Sequence, residues 1–271
     1  MKRIFLLALA TVMLLVSATA FSSCGDDVTD TTTTVNTMEE EEESLSFALN
    51  TNGISYRVAG IGTYKDTDVV IPNTYKSLPV TEIADGAFEG CTTITGVTVP
   101  YGIITIGEKS FRGCTSLKEI NISHTVEAVG AEAFSGCEAI TERVDGVLYV
   151  GKWAVGYEAD AEEYKLRDGT FGIADSAFSG CTKLTSLVLP NTVMNIGKSS
   201  FYRCNNLETI TLSANLTAIP EYCFSNCSNL VRIDIPDTVK EIGDYAFERC
   251  YNLGGINLGN GVTHIGASAF N

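Results

Sequence analysis

Nine cysteines, two histidines and 33 carboxylates are the side chains of this 271-residue chain whose chemistry could go beyond packing. Seven of the cysteines recur at fixed intervals: Cys91, Cys114, Cys137, Cys181, Cys204, Cys227 and Cys250. Spaced thiols can pair as disulfides, hold zinc or supply a nucleophile. Zinc sites use paired ligands, and no Cys-x-x-Cys is present; Cys223 and Cys227 merely flank Phe224 as two core columns. An odd number cannot all pair, and each cysteine holds a repeat-defined inward position, so a buried free thiol behaving as a small hydrophobe is expected. His124 and His264 are expected at turns of distant repeats, too far apart to serve one nucleophile. Ser123, His124 and Glu127 are near neighbours in one turn, which does not give base and nucleophile their mutual aim. The acid run Glu39 to Glu43 lacks the spaced oxygens and turn glycine of a calcium loop. No glycine-rich phosphate loop is present. The expectation is no catalytic residue, no cofactor and no metal.

The elements that must position these side chains are repeats. Phe88, Phe111, Phe134, Phe178, Phe201, Phe224, Phe247 and Phe270 follow one another in steps of 23, 23, 44, 23, 23, 23 and 23 along the chain. Three residues after all but the last comes the cysteine, and six after comes Ile or Leu. Further apolar columns follow, as at Val97 and Val99, Leu187 and Leu189, or Ile233 and Ile235, and the unit closes on Ile-Gly, as at Ile106-Gly107 and Ile196-Gly197. A fixed period of this length predicts a solenoid, each coil burying its columns against its neighbours. Val97 and Val99 and their equivalents are expected to point inward from a short parallel strand that Pro100, Pro190 or Pro236 ends, since proline cannot donate to the ladder. The Ala-Phe step is placed on the opposite wall. Strands spaced about 4.8 Å apart give eight or nine coils a length of roughly 40 Å.

Written through Ala177-Phe178-x-x-Cys181-x-x-Leu184-x-x-Leu187-x-Leu189-Pro190-x-x-Val193-x-x-Ile196-Gly197, the unit resembles the leucine-rich repeats of the BspA-like (Treponema pallidum type) family. The resemblance runs from about Val69 to Phe270. It implies a leucine-rich-repeat solenoid, β-dominated within the α/β class, with one short parallel strand per 23-residue coil.

The long step from Phe134 to Phe178 marks an elaborated or degenerate coil at 138–166. Within and around it, Gly146 to Tyr157 reads as two strands turning at Gly151-Lys152 and holds the only tryptophan. Trp153 and Tyr157 either plug the core where the register breaks, the preferred reading, or form with Tyr149 an exposed aromatic docking hairpin.

Four segments are expected. Residues 1–23 read as an export signal: Lys2 and Arg3 precede the apolar stretch Ile4 to Val16, too short for a comfortable span, and Ser22-Ser23 precede Cys24. Phe21-Ser22-Ser23-Cys24 resembles a bacterial lipobox, which implies cleavage before Cys24 and its lipidation. Gly25-Asp26-Asp27 is similar to the acidic surface-export signal of Bacteroidetes lipoproteins. Residues 24–44, with Thr31 to Thr34 and the glutamate run, form a solvated acidic tether. Residues 45–68 are an N-terminal β-hairpin cap, because Leu45, Phe47 and Leu49 alternate before Asn52-Gly53, and Ile54, Tyr56 and Val58 alternate after it. Residues 69–271 are the repeats.

With 18 basic against 33 acidic residues, a net charge of −15, the chain is a poor partner for nucleic acid or a bare anionic membrane surface. Its expected contact with the membrane is the lipid on Cys24 alone. Solenoids recognise partners through the outward residues of their parallel strands, here Thr98, Asn121, Val188, Thr211, Asp234 and Asn257, the candidate ligand face. The last coil stops at Phe270-Asn271 with no polar cover, so self-association there is one expectation and an early chain end another. The sequence reads as a non-enzymatic, lipid-anchored surface recognition module of the outer membrane. The resemblance implies adhesion to host extracellular matrix proteins or other bacterial cells; the alternative is an envelope scaffold or assembly protein.

Overall fold

A computed structural model describes residues 44–271. The signal segment, Cys24 and residues 24–43 of the tether lie outside the described residues. The repeat region is a solenoid whose coils have three sides, and among the described residues no segment is helical.

The first side is the expected ladder: Gly96–Val99 and Glu119–Ile122, then Ser186–Val188, Thr209–Thr211, Arg232–Asp234 and Gly255–Asn257. These strands pair parallel at the repeat step, with Val97 beside Ile120, Leu187 beside Ile210 and Ile233 beside Ile256. The β-branched and leucine columns face inward; Val97, Val99, Leu187, Leu189, Ile233 and Ile235 are buried, while Ile120 and Ile122 are half-buried. In the last described coil the same columns are exposed at Ile256 and Leu258.

A second ladder stands at the Ile-Gly step, where one strand per coil had been expected rather than two. Thr105–Ile106 pairs with Ala128–Val129, Gly172–Ile173 with Asn195–Ile196, and Ala218–Ile219 with Glu241–Ile242 and then His264–Ile265. His264 therefore lies on a strand, not at a turn. Gly107 explains the recurrent glycine: a Cβ there would lie 2.6 Å from the backbone nitrogen of Asp85 in the preceding coil.

The third side is a run of turns rather than a helix. Two positions per coil, two before and two after the phenylalanine, take left-handed backbone. Lys109 (φ 54°), Ser176 (57°) and Ser199 (53°) do so on one side, and Gly113 (73°), Gly180 (76°) and Arg203 (60°) on the other. Left-handed residues at this spacing bar an α-helix. They aim alternate N–H groups along the solenoid instead. Lys109, Phe111 and Gly113 donate to the carbonyls of Ala131, Ala133 and Ser135, and Ser176, Phe178 and Gly180 to those of Lys198, Ser200 and Tyr202.

Behind this run the phenylalanines stack. Ring centroids are 5.1 Å apart for Phe88 and Phe111, 5.6 Å for Phe178 and Phe201, and 5.3 Å for Phe201 and Phe224, with planes within 9° of parallel. The cysteines pack beside them as free thiols, as expected, and Cys91 and Cys250 alone of the column are half-buried. They are more than small hydrophobes. Cys114, Cys204 and Cys227 donate S–H to the carbonyls of Phe88, Phe178 and Phe201 in the preceding coil, at 3.1, 3.1 and 3.2 Å.

At the N-terminal end, Ser46–Leu49 and Tyr56–Gly60 form the expected antiparallel hairpin. Asn52 Oδ1 accepts from the backbone nitrogens of Ile54 and Ser55 and fixes its turn. Tyr56–Gly60 then pairs parallel with Leu78–Ile83, which pairs with Thr105–Ile106, so the hairpin closes the edge of the second ladder.

The long step between Phe134 and Phe178 is built as a three-stranded antiparallel meander, Glu142–Val144, Val147–Val150 and Trp153–Tyr157. Its last strand joins the second ladder beside Gly172–Ile173. Tyr149 and Trp153 are 0% and 2% exposed. They are core residues, which corrects the docking-hairpin alternative at these two positions. Trp153 packs edge-on to Phe171 with centroids 5.9 Å apart, and a side chain at Gly172 would strike its ring. Tyr157, one repeat step after Phe134, takes the missing phenylalanine's place, its ring stacked on Phe178 at 6.2 Å and 7°. The first ladder is interrupted here, resuming at Ser186–Val188 with a single bridge from Glu163 to Ser186.

Candidate recognition surface

Because strand residues alternate between the two faces of a ladder, buried columns force the residues between them outward. Thr98, Asn121, Val188, Thr211, Asp234 and Asn257 all expose their side chains. Register sets Thr98 beside Asn121, Val188 beside Thr211 and Asp234 beside Asn257. The six form two plates, since of the two strand positions between Asn121 and Val188 the first, Glu142–Val144, is drawn into the meander and the second keeps only the Glu163–Ser186 bridge.

Val70, missed from sequence, extends the first plate. Asp68–Val70 pairs with Gly96–Val99, so that Val70 sits beside Thr98 with most of its side chain exposed. The offset from Val70 to Thr98 is longer than the repeat step, which hides it from a column alignment. Shallow depressions lie over each plate, about 400 Å³ across Val70, Thr98 and Asn121, and about 370 Å³ between Lys165 and Val188.

The chemistry of this face is hydrogen bonding with local charge. Arg232 Nη2 donates to Asp234 Oδ1 at 2.9 Å, and that bond holds the Asp234 carboxyl below the ordinary carboxylate range. Val188, 64% exposed, is the one apolar member of the six.

The sequence-level catalytic grouping is not assembled. Ser123 Oγ accepts from Thr125 N and Oγ1, while the exposed His124 ring faces Tyr101 at 6.0 Å. Among the described residues no group of three or more His, Cys, Asp or Glu side chains is placed to hold a metal ion. Burial pushes the Cys250 thiol up to about 12 and the Cys181 thiol up to about 11. Cys181 has no preceding phenylalanine carbonyl; it donates to Asp160 Oδ1 at 3.1 Å instead.

A stacked ladder with an outward polar face and an inward Phe-Cys-Leu core defines a leucine-rich-repeat solenoid. The chain matches the BspA-type leucine-rich repeat region in six copies, over residues 67–145 and 155–271, and belongs to that family. Proteins built of such repeats generally mediate protein–protein interactions and are typically binding modules rather than enzymes. Among solved structures the chain is similar to a T. pallidum leucine-rich repeat protein, with 25% identity over 77% of this chain and 87% of that one and a TM-score of 0.39. A leucine-rich repeat protein from Bacteroides ovatus is 27% identical over 82% of this chain and 54% of that one, with a TM-score of 0.39. A leucine-rich cell surface protein from Faecalibacterium prausnitzii is 21% identical over 83% and 93%, with a TM-score of 0.42. No curated protein matches the chain.

Proposed function

We propose that this protein is a lipid-anchored, non-enzymatic recognition module of the outer-membrane surface, adhesin-like, which binds host or partner-cell proteins through the outward strand face. The observation that carries the reading is the two plates of exposed side chains, Thr98 with Asn121 and Val188 to Asn257, each fixed in register by its own ladder. A plate with few aromatic or arginine anchors binds weakly at any one point, so affinity comes from many hydrogen bonds and from several molecules on one surface. Cys24, with its preceding Ser22-Ser23, supplies the anchor, and residues 24–44 hold the repeats away from the membrane.

The test is proteinase shaving of intact cells, with an immunoblot against the repeat region, comparing wild type with Cys24→Ala. Loss of wild-type signal from whole cells is the expected result. Cleavage only after lysis would overturn surface exposure and favour an envelope scaffold, and membrane partitioning of Cys24→Ala would overturn the lipid anchor.

A further inference from the structure

The turn side of the solenoid is laced by a repeated set of three bonds, with one gap. From the coil of Phe88 to that of Phe111, N–H groups of Gly86, Phe88 and Gly90 donate forward to Glu108, Ser110 and Arg112. The same trio recurs at every other junction between turn runs, down to Tyr245, Phe247 and Arg249 donating to Ala267, Ala269 and Asn271, all at 2.7–3.1 Å. At Glu132, Phe134 and Gly136 the trio is formed but donates to nothing among the described residues. On the far side of the gap the matching carbonyls of Asp175 and Ala177 accept nothing from the described residues, and that of Ser179 accepts only from the Tyr157 hydroxyl at 3.3 Å.

The cause is the meander. It delivers the Tyr157 ring to the core and Trp153–Tyr157 to the second ladder, but it builds no turn run. A cleft of about 470 Å³ remains where that run would lie, within the roughly 300–1,000 Å³ of ligand-binding clefts. It is pinched shut at one end, where Asp175 N donates to Val129 O at 2.8 Å. One wall presents a row of backbone donors and the other a row of backbone acceptors. Unpaired backbone groups of this kind are what a bound peptide satisfies when it adds to a ladder.

We propose that this cleft binds a peptide segment of a partner protein as the missing rung. The peptide's carbonyls accept from Glu132, Phe134 and Gly136, and its N–H groups donate to the Asp175 and Ala177 carbonyls. To copy the neighbouring runs, the peptide needs left-handed backbone at two positions four residues apart, which glycine adopts without strain. It needs a small residue between them, because Tyr157 already fills the core position. Acidic side chains outnumber basic ones at the cleft even with its ion pairs counted, since Glu132 pairs with Arg112, and Glu138 and Glu158 share Arg143, beside Asp175, which favours basic flanks. The ligand is therefore of the type Lys-Gly-x-Ala-x-Gly-Lys. The cleft opens on a different side of the coil from the strand plates, so this site stands or falls apart from the proposed strand-face function.

The probe is the acetylated, amidated peptide Lys-Gly-Ser-Ala-Ser-Gly-Lys, added to the full chain and followed by amide hydrogen exchange. Without peptide, the amides of Phe134 and Gly136 exchange far faster than their bonded equivalents at Phe111 and Gly113, by about a hundredfold or more. Saturating peptide slows Glu132, Phe134 and Gly136 selectively. Peptide N-methylated on alternate amides does not protect them. Gly156→Val, whose Cβ would enter the cleft 3.5 Å from Leu148 and 4.0 Å from the Ala177 carbonyl, abolishes protection. Glu138→Lys, an exposed change, keeps the fold and weakens binding several-fold, a second test should Gly156→Val fail to fold. Slow exchange at Phe134 and Gly136 in the free chain, absence of protection, or protection by the N-methylated peptide would each overturn the proposal.

Discussion

Replacing Phe201 by alanine removes the centre of the aromatic column. The ring is fully buried and lies between Phe178 at 5.6 Å and Phe224 at 5.3 Å. Burying and then deleting a phenylalanine side chain costs about 3 to 5 kcal/mol, and the cost rises with the volume that neighbours fail to refill. Here the neighbours are held on both sides by forward bonds, Phe178 N to Ser200 O and Phe201 N to Cys223 O, so collapse is limited and the expected loss is about 4 to 5 kcal/mol. Phe270 gives the internal comparison. Its ring is 41% exposed and stacks on Phe247 alone, at 5.2 Å, so Phe270→Ala is expected to cost about 1 to 2 kcal/mol. Urea unfolding followed by far-UV circular dichroism and by the fluorescence of the buried Trp153 measures both losses. A gap between the two variants below about 1 kcal/mol would refute the placement of the column as the structural spine.

The other expectations follow from backbone and thiol chemistry. Gly107→Ala drives a Cβ to within 2.6 Å of the Asp85 nitrogen and should lower stability by about 2 kcal/mol or more, measured by urea unfolding; Gly180→Ala, with open space around it, should cost only the strain of its left-handed backbone. Arg249→Gly relieves a left-handed arginine (φ 57°) and should raise the melting temperature, by more than Asn226→Gly (φ 63°), since asparagine tolerates that region; no difference between them would count against backbone strain as the cause. Burial raises the Cys181 thiol to about 11, above the roughly 8.5 of an unfolded thiol. Above pH 8.5 the unfolded state releases that proton first, so stability is full below this pH and is lost as pH climbs towards 11. Thermal melts between pH 8 and pH 10.5 should show the fall, and Cys181→Ala should make it shallower. In the native protein at pH 8, a disulfide reagent should reach Cys91 and Cys250 before Cys114 or Cys204, and mass mapping of labelled peptides in any other order would contradict the burial pattern.

The parts of the fold that were legible in the sequence are those with a column. Phenylalanine, cysteine and paired apolar columns recur at every repeat step because stacked coils bury the same positions, and alternation around Asn52-Gly53 marked the hairpin for the same reason. The second ladder was not legible, since strands of two residues such as Thr105–Ile106 are too short to display a period. Tyr157 was in plain register with Phe134, yet a search on phenylalanine skips a tyrosine that fills the same place. The S–H bonds to phenylalanine carbonyls, and the interrupted trio of N–H donors, depend on how one coil faces the next, which no single coil encodes. The candidate strand face was readable as exposed residues, whereas its division into two plates was not, because it follows from the meander's capture of Glu142–Val144 and the reduction of the next strand to the Glu163–Ser186 bridge.

The uniform one-repeat offset between bonded partners has a consequence for descent. Any interior coil from Phe201 onward meets its predecessor and its successor through the same set of bonds, so a gene that duplicates or deletes one such unit yields a chain with both old junctions intact. The outward face then lengthens or shortens by one strand spacing, about 4.8 Å, while the two ends stay unchanged. The meander enjoys no such freedom, because its last strand pairs with Gly172–Ile173, its Trp153 ring lies over Gly172, and the Val129 carbonyl is bonded past it to Asp175. Length polymorphism among related genes is accordingly expected downstream of it, and constancy of length within it.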